Sequence, residues 1–352
     1  MKLWEKNIRR VVPYVPGEQP NKPDMIKLNT NENPYPPAPG VRKALQQDFN
    51  TDKLRLYPDP TVKKLVEELA TFYSLKEDQV FVGVGSDDVL AMAFLTFFNA
   101  DKPILFPDIT YSFYPVWCEL FQIPFETPLL DQGFRITKED YYKENGGVII
   151  ANPNAPTSIY EELSGIEDIL IHNQDVVVII DEAYIDYAGK SAVELIAKYD
   201  NLLVVQTFSK SRSMAGMRIG YAMGHPDLIK ALNDVKYSFN SYTMNAVSIV
   251  AGVESVKDVV YFKEGIEKTL TTRKRTERTL KEMGFSFPPS GSNFLFVTHE
   301  KIPAKELFEA LRENNIYVRY FSAPRTNNYL RITIGTDLEM NQLFEFLKKY
   351  IR

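Results

Sequence analysis

Through the middle of the chain, short apolar runs alternate with stretches whose apolar residues recur at helical spacing. Val80–Gly83 precedes Asp87–Phe98, which carries Val89, Leu90, Ala93, Phe94 and Phe97. Pro103–Phe106 predicts a strand and Tyr111–Phe121 a helix, while Val148–Ala151, Asp175–Ile180 and Leu202–Val205 are nearly continuous apolar runs. A strand with one wet face alternates polar and apolar residues. Unbroken apolar runs belong to strands buried on both faces, hence to a mostly parallel sheet covered by helices. The repeated strand–helix order therefore predicts an α/β fold.

The ends of the chain read differently. The segment 1–34 is rich in Pro and Asn and predicts an extended arm. Beyond Tyr242 come long helical patterns, then Asn293–Val297, a helix over Pro303–Asn314, and the runs Ile316–Arg319 and Tyr329–Ile334. The expected organisation is an arm with part of a small domain over 1–34, a large domain over 35–245, and a smaller α+β domain with an antiparallel sheet over 246–352.

Composition narrows the partners. At 352 residues, 44% of them hydrophobic, the chain has material for about two domains. Its net charge is −5, with acids and bases interspersed, so no basic run tracks a phosphate backbone and nucleic acid is not an expected partner. The basic stretch Arg273–Arg278 reads as a solvated helix face. One cysteine, Cys118, and three scattered histidines leave no metal-ligand spacing. Neither a signal-peptide pattern nor a membrane-length apolar window is present, so a cytoplasmic protein is expected.

Four constellations carry chemistry, and each has a plainer structural reading. Gly83-Val-Gly85-Ser86-Asp87 lies between strand and helix, where free N–H groups of the first turn form an anion site. Ser86 could equally be an ordinary N-cap. The turn lacks the third glycine of a dinucleotide fingerprint and the Gly-Lys-Ser/Thr of a P-loop, which points to a small phosphate. Asp181, with Tyr184 three residues on, ends an apolar strand; a buried carboxylate there needs a partner, such as a pyridinium N–H, an arginine or the next helix. Lys210 leaves the run Asn201–Gln206, with Arg218 eight residues on. Its amine can attack a carbonyl and hold an aldehyde as a Schiff base, or can simply cap a strand end in water. Arg331 sits inside the strand-like Leu330–Ile332, where a guanidinium requires an anion, either an internal acid or a substrate. Tyr111 could stack on a flat ring or belong to the core. The first three sets sit at the carboxyl ends of predicted strands, where open α/β sheets bind ligands, and together they suit pyridoxal 5′-phosphate.

With those residues in place, the chain resembles the aspartate-aminotransferase superfamily, the fold type I pyridoxal-phosphate-dependent enzymes, and within it the histidinol-phosphate aminotransferase group. The resemblance runs from Pro13-Tyr14 and Leu28–Pro34, through Leu56–Pro60, Gly83–Asp88, Asn152–Ser158 and Asp181–Tyr184, to Thr207–Tyr221 and Tyr329–Thr336. It implies that Lys210 bonds the cofactor and serves as the proton-transfer base, that Asp181 meets the pyridine nitrogen, that Tyr184 bonds the phenolic oxygen, and that Tyr111 stacks on the ring. It further implies that Gly85, Ser86, Asp87, Ser209 and Arg218 hold the phosphate, with Tyr57 reaching it from the second subunit of a homodimer. Arg331 and Arg319 match positions for the anionic end of the substrate, and Tyr14 lies in an arm closing over it. The implied reaction is a ping-pong amino transfer between histidinol phosphate and 2-oxoglutarate. Aromatic or broad-specificity aminotransferases and threonine-phosphate decarboxylases share nearly every one of these residues, and a non-catalytic cofactor-binding protein is a further alternative. Three positions depart from the family pattern: Ala155 stands where asparagine is usual, Ser158 where glycine is, and Asp88 where glutamate is common. The first removes a donor to the phenolic oxygen and leaves Tyr184 as its main partner.

Overall fold

The computed structural model describes residues 2–351. In chain order, strand β1 (Ile26–Lys27) is followed by helices α1 (Pro39–Lys43) and α2 (Lys63–Tyr73), β2 (Val80–Gly83), α3 (Ser86–Phe97) and β3 (Ile104–Leu105). Then come α4 (Tyr114–Phe121), β4 (Phe125–Glu126), β5 (Gly147–Ala151), α5 (Leu163–Ile171), β6 (Val178–Asp181), β7 (Leu202–Thr207), β8 (Gly220–Gly224) and α6 (Pro226–Phe239). The remainder is α7 (Ala246–Lys257), α8 (Val259–Glu282), β9 (Phe285–Ser286), β10 (Phe294–His299), α9 (Ala304–Glu313), β11 (Ile316–Tyr317), β12 (Arg319–Tyr320), β13 (Leu330–Thr333) and α10 (Asp337–Tyr350).

Seven strands form the large sheet in the order β2-β8-β7-β6-β5-β3-β4. Only β8 runs against its neighbours; the other ladders are parallel. The unbroken apolar runs have the expected cause. Val148, Ile150, Val178, Ile180 and Val204 face one core with Leu65, Leu69, Ile166 and Leu170, while Ile149, Ile179, Leu203 and Val205 face the opposite core with Phe94, Trp117 and Leu232. Each face needs an apolar residue, so alternation vanishes. β8 escapes the sequence pattern because its run, Gly-Tyr-Ala-Met-Gly, is short and bracketed by glycines.

A four-stranded antiparallel sheet, β12-β13-β10-β9, packs on α8, α9 and α10. The run Ile316–Arg319 divides at Val318: β11 pairs in parallel with β1, and β12 pairs with β13. The arm thereby contributes Ile26 and Leu28 to this second core. Helix α7 lies beyond the boundary placed after residue 245, yet its Ala251 and Val256 pack in the core of the large sheet.

One close approach fixes the turn before α3. Gly220 of β8 lies directly against that turn: a Cβ there would sit 2.2 Å from the carbonyl carbon of Gly85 and 2.3 Å from the Ser86 nitrogen. Backbone cannot yield as a flexible side chain can. Gly220→Ala should therefore lower the thermal midpoint, costing about 2–3 kcal/mol. Gly265→Ala in α8, where a Cβ meets nothing within 4 Å, should gain roughly 0.5–1 kcal/mol. Equal midpoints for the two variants in calorimetry would contradict this packing.

Candidate active site

A cavity of about 790 Å³ opens where β5, β6 and β7 end, walled on the far side by the arm and by β12 and β13. Ser86, Asp87, Tyr111, Asp181, Tyr184, Ser209, Lys210, Arg218, Arg319, Arg331 and Tyr14 all line it. A larger groove of about 1070 Å³ carries a mixture of acids and bases, including Arg135, Lys138, Glu161 and Asp168, and none of those residues.

At one end lies an anion cradle. Gly85 has φ +87°, a left-handed conformation that costs glycine nothing, and it starts α3 with its first N–H groups free. Asp88 closes the turn from inside, its Oδ2 accepting from the Val84 N–H at 2.9 Å. Arg218 extends Nη1 to Ser209 Oγ at 3.4 Å and Nη2 to Asp87 Oδ2, also at 3.4 Å. A side chain at position 85 would collide with that guanidinium, because its Cβ would lie 2.5 Å from Nη2. Thr207 braces Ser209, its Oγ1 accepting from the Ser209 N–H at 3.1 Å. Helix N-terminus, hydroxyl and guanidinium thus converge on one small volume suited to a phosphate.

Asp181 closes the floor. It ends β6 buried, beside Ala151 of β5 and Val205 of β7 in register. Burial pushes its carboxyl up to about 6, against the opposing pull of the hydrogen bond from Tyr114 Oη at 2.8 Å and the Ala183 N–H at 3.3 Å; Asp87 adds to the rise and Lys210 counters it. Among the described residues, no cation lies within salt-bridge distance of it. Tyr111 stands over the floor, with its hydroxyl donating to Asp87 Oδ1 at 2.8 Å; burial pushes that phenol up. The helix predicted from Tyr111 starts only at Tyr114, with Pro115 in its first turn, which leaves Tyr111 and Phe113 on a turn facing the cavity. Lys210 Nζ lies 5.6 Å from the centroid of the Tyr184 ring and donates to the Thr30 carbonyl at 3.0 Å.

The opposite wall is cationic. Arg319 and Arg331 are directly opposed across β12 and β13. Like charges in that register repel unless an anion lies between or beside them. Arg331 donates from Nη2 to the Asn29 carbonyl at 2.9 Å, its Nε is buried without a partner, and burial pulls its pKa down. Tyr14 lays the arm across the mouth by stacking on Phe113, with centroids 4.3 Å apart and an interplanar angle of 18°. Tyr57 is elsewhere: it is 82% exposed, stacks on Tyr242 at 4.7 Å and does not line the cavity.

The departures at 155 and 158 have clear geometry. Ala155 lines the cavity with a methyl group. Asn154 cannot stand in for a donor there, because its amide is consumed by the Ile109 carbonyl, Thr157 Oγ1 and Thr110 Oγ1, all at 2.8–2.9 Å. Ser158 adopts φ +64°, the left-handed region that favours glycine. Sequence reasoning assigned no role to Thr30, Asn31, Tyr114 or Phe321. Asn31 and Thr30 come from the arm, and their contacts with Tyr184 and Lys210 join residues far apart in the chain.

Comparison with known proteins accords with this geometry. Residues 23–347 match the model of the family described as aminotransferase class I and II. The chain is 50% identical over 349 residues to the histidinol-phosphate aminotransferase of Lactococcus lactis subsp. cremoris, covering 99% of this chain and 98% of that one. It is 51% identical over 346 residues to the enzyme of that name from Brachyspira hyodysenteriae, covering 98% and 97%. In fold it is similar to the crystal structure of histidinol-phosphate aminotransferase from Sinorhizobium meliloti in complex with pyridoxal-5′-phosphate, with a TM-score of 0.84, 24% identity and coverage of 92% and 90%. The cradle after β2, the buried acid ending β6 and the lysine after β7 lie in a chain that belongs to the class I and II aminotransferase family, whose model matches residues 23–347.

Proposed function

We propose that the chain is a pyridoxal-phosphate-dependent aminotransferase that exchanges the amino group of histidinol phosphate with 2-oxoglutarate in histidine biosynthesis, working as a cytoplasmic homodimer. The observation that carries the cofactor reading is Asp181, a buried carboxylate raised to about 6 with no cation against it. A ring N–H is the partner its position calls for. Ser86, Asp87, Ser209 and Arg218 would hold the phosphate, Tyr111 the ring face and Tyr184 the phenolic oxygen. Bound there, pyridoxal phosphate supplies an electrophilic aldehyde carbon and a ring able to take up an electron pair.

The remaining work falls to the chain's own groups. Lys210 Nζ accepts the proton from the substrate carbon that bears the amine and would return it to the cofactor's aldehyde carbon on the far side of that nitrogen. Asp181, once ionised, would hold a proton on the ring nitrogen. Arg319 and Arg331 fix the anionic end of the substrate, so the same pair must accept a phosphate in one half-reaction and a carboxylate in the other. Tyr14 and Phe113 narrow the mouth against water. Histidinol phosphate as the amine rests on the relatives at half identity over their full lengths.

The homodimer reading rests on Tyr57 and its surroundings. Leu54, Leu56, Tyr57, Tyr237, Phe239 and Tyr242 are all exposed, and a second copy covering that apolar surface would bring Tyr57 to a partner's cradle. Four outcomes are expected. In a substrate panel, glutamate formation from 2-oxoglutarate should be faster with histidinol phosphate than with phenylalanine, tyrosine or threonine phosphate. Arg331→Ala should weaken histidinol phosphate and glutamate together, by about 10- to 100-fold in kcat/KM; carbon dioxide release from threonine phosphate without a keto acid would favour a decarboxylase instead. Sedimentation should give a dimer, with Tyr57→Phe losing cofactor affinity; a fully active monomer would exclude that assignment. Finally, the raised Asp181 value means its carboxyl takes up a proton as pH falls through about 6. Pyridoxal phosphate retention should therefore weaken from pH 7 toward pH 5, and in Asp181→Asn it should be weak and independent of pH over that range.

A further inference from the structure

Asn31 of the arm is buried with each of its polar groups engaged. Its N–H donates to Thr333 Oγ1 at 3.1 Å, and its carbonyl accepts from Asn293 Nδ2 at 3.0 Å. Thr333 Oγ1 donates in turn to Asn31 Oδ1 at 3.0 Å. Thr333 is buried and, among the described residues, its hydroxyl proton has no other acceptor, so the amide presents Oδ1 to it. The amide nitrogen is left facing Tyr184, and Nδ2 donates to the phenolic oxygen at 2.9 Å. The backbone has φ +58°, a left-handed conformation that asparagine tolerates better than most side chains.

The direction of this bond has a chemical consequence. A phenol has one proton to give, and Tyr184 receives the amide proton, so its own remains free. Tyr184 lines the cavity, and the neighbouring Ala155 offers no polar side chain there. We infer that Asn31, held by Thr333 of β13, is a positioning residue that polarises the Tyr184 phenol and directs its proton into the cavity, toward an anionic ring oxygen of the bound cofactor. This rests on the reading that the cavity takes pyridoxal phosphate. If Asn31 served only to anchor the arm, the Tyr184 bond would be incidental and the chromophore would not respond to its loss.

The test uses the full-length protein reconstituted with pyridoxal phosphate, following the absorption of the Lys210–cofactor chromophore against pH. A donor on an anionic ring oxygen favours the deprotonated chromophore, so losing it raises the titration midpoint. Tyr184→Phe and Asn31→Ala should each raise the midpoint by about one pH unit, the weight of one hydrogen bond to a charged group. The double variant should move no further than Tyr184→Phe alone, because both changes act through one bond. Thr333→Val should shift the midpoint the same way, with Thr333→Ser restoring the wild-type value. A wild-type midpoint in Asn31→Ala, or additive shifts in the double variant, would overturn the inference. Should Asn31→Ala fail to fold, identical midpoints for Thr333→Val and Thr333→Ser would overturn it equally. Failure of the cofactor reading looks different: the wild type would bind no pyridoxal phosphate, or the chromophore would survive Lys210→Ala, and the relay would fall with it.

Discussion

A carboxylate taken out of water with no cation in salt-bridge contact is among the least comfortable groups a fold can hold, and among the described residues Asp181 has no such partner. Only a rigid surround can impose it. Strands on both sides hold β6 in register, Tyr114 donates to one oxygen and the Ala183 N–H to the other. Those two bonds offset part of the desolvation without neutralising the charge. The rest of the site is arranged around that uncompensated charge, with a cradle at one end, aromatic rings over the floor and arginines across the mouth.

Burial on both faces of the sheet is also why so much was legible beforehand. Ile149 and Ile150 lie in different cores, so the sequence cannot alternate, and its unbroken runs mark the strands whose ends carry the chemistry. Gly85, Asp181 and Lys210 each sit within a few residues of such an end, whereas Arg218 stands just before β8. The signal fails where structure depends on pairing rather than pattern. β8 has only five residues, with a glycine at each end, and is held by ladders on both sides. Tyr114 lay inside a predicted helix, where nothing distinguishes a core tyrosine from one that donates to the buried acid. Asn31 and Thr30 were legible as an extended arm but not as neighbours of Tyr184 and Lys210, because that contact spans more than 150 residues of chain.

The two sheets meet at the cavity rather than through a continuous ladder. The large sheet contributes the acid, the lysine and the cradle. The smaller sheet contributes two arginines and, through Thr333, the orientation of an arm residue. The arm belongs to the core of the smaller unit at Leu28, yet reaches the lysine of the larger one through the Thr30 carbonyl.

The opposed arginines carry a consequence for selectivity. Arg319 and Arg331 face each other across a ladder whether or not an anion is present, so the pair behaves as a site of charge near +2. A group bearing a single negative charge leaves one guanidinium uncompensated, whereas a phosphate, close to −2 near neutral pH, cancels the pair. A carboxylate compensates with geometry instead, by bidentate contact with one fork. Under the proposed role of this wall, an anion could satisfy it by valence or by shape, and a neutral side chain offers neither.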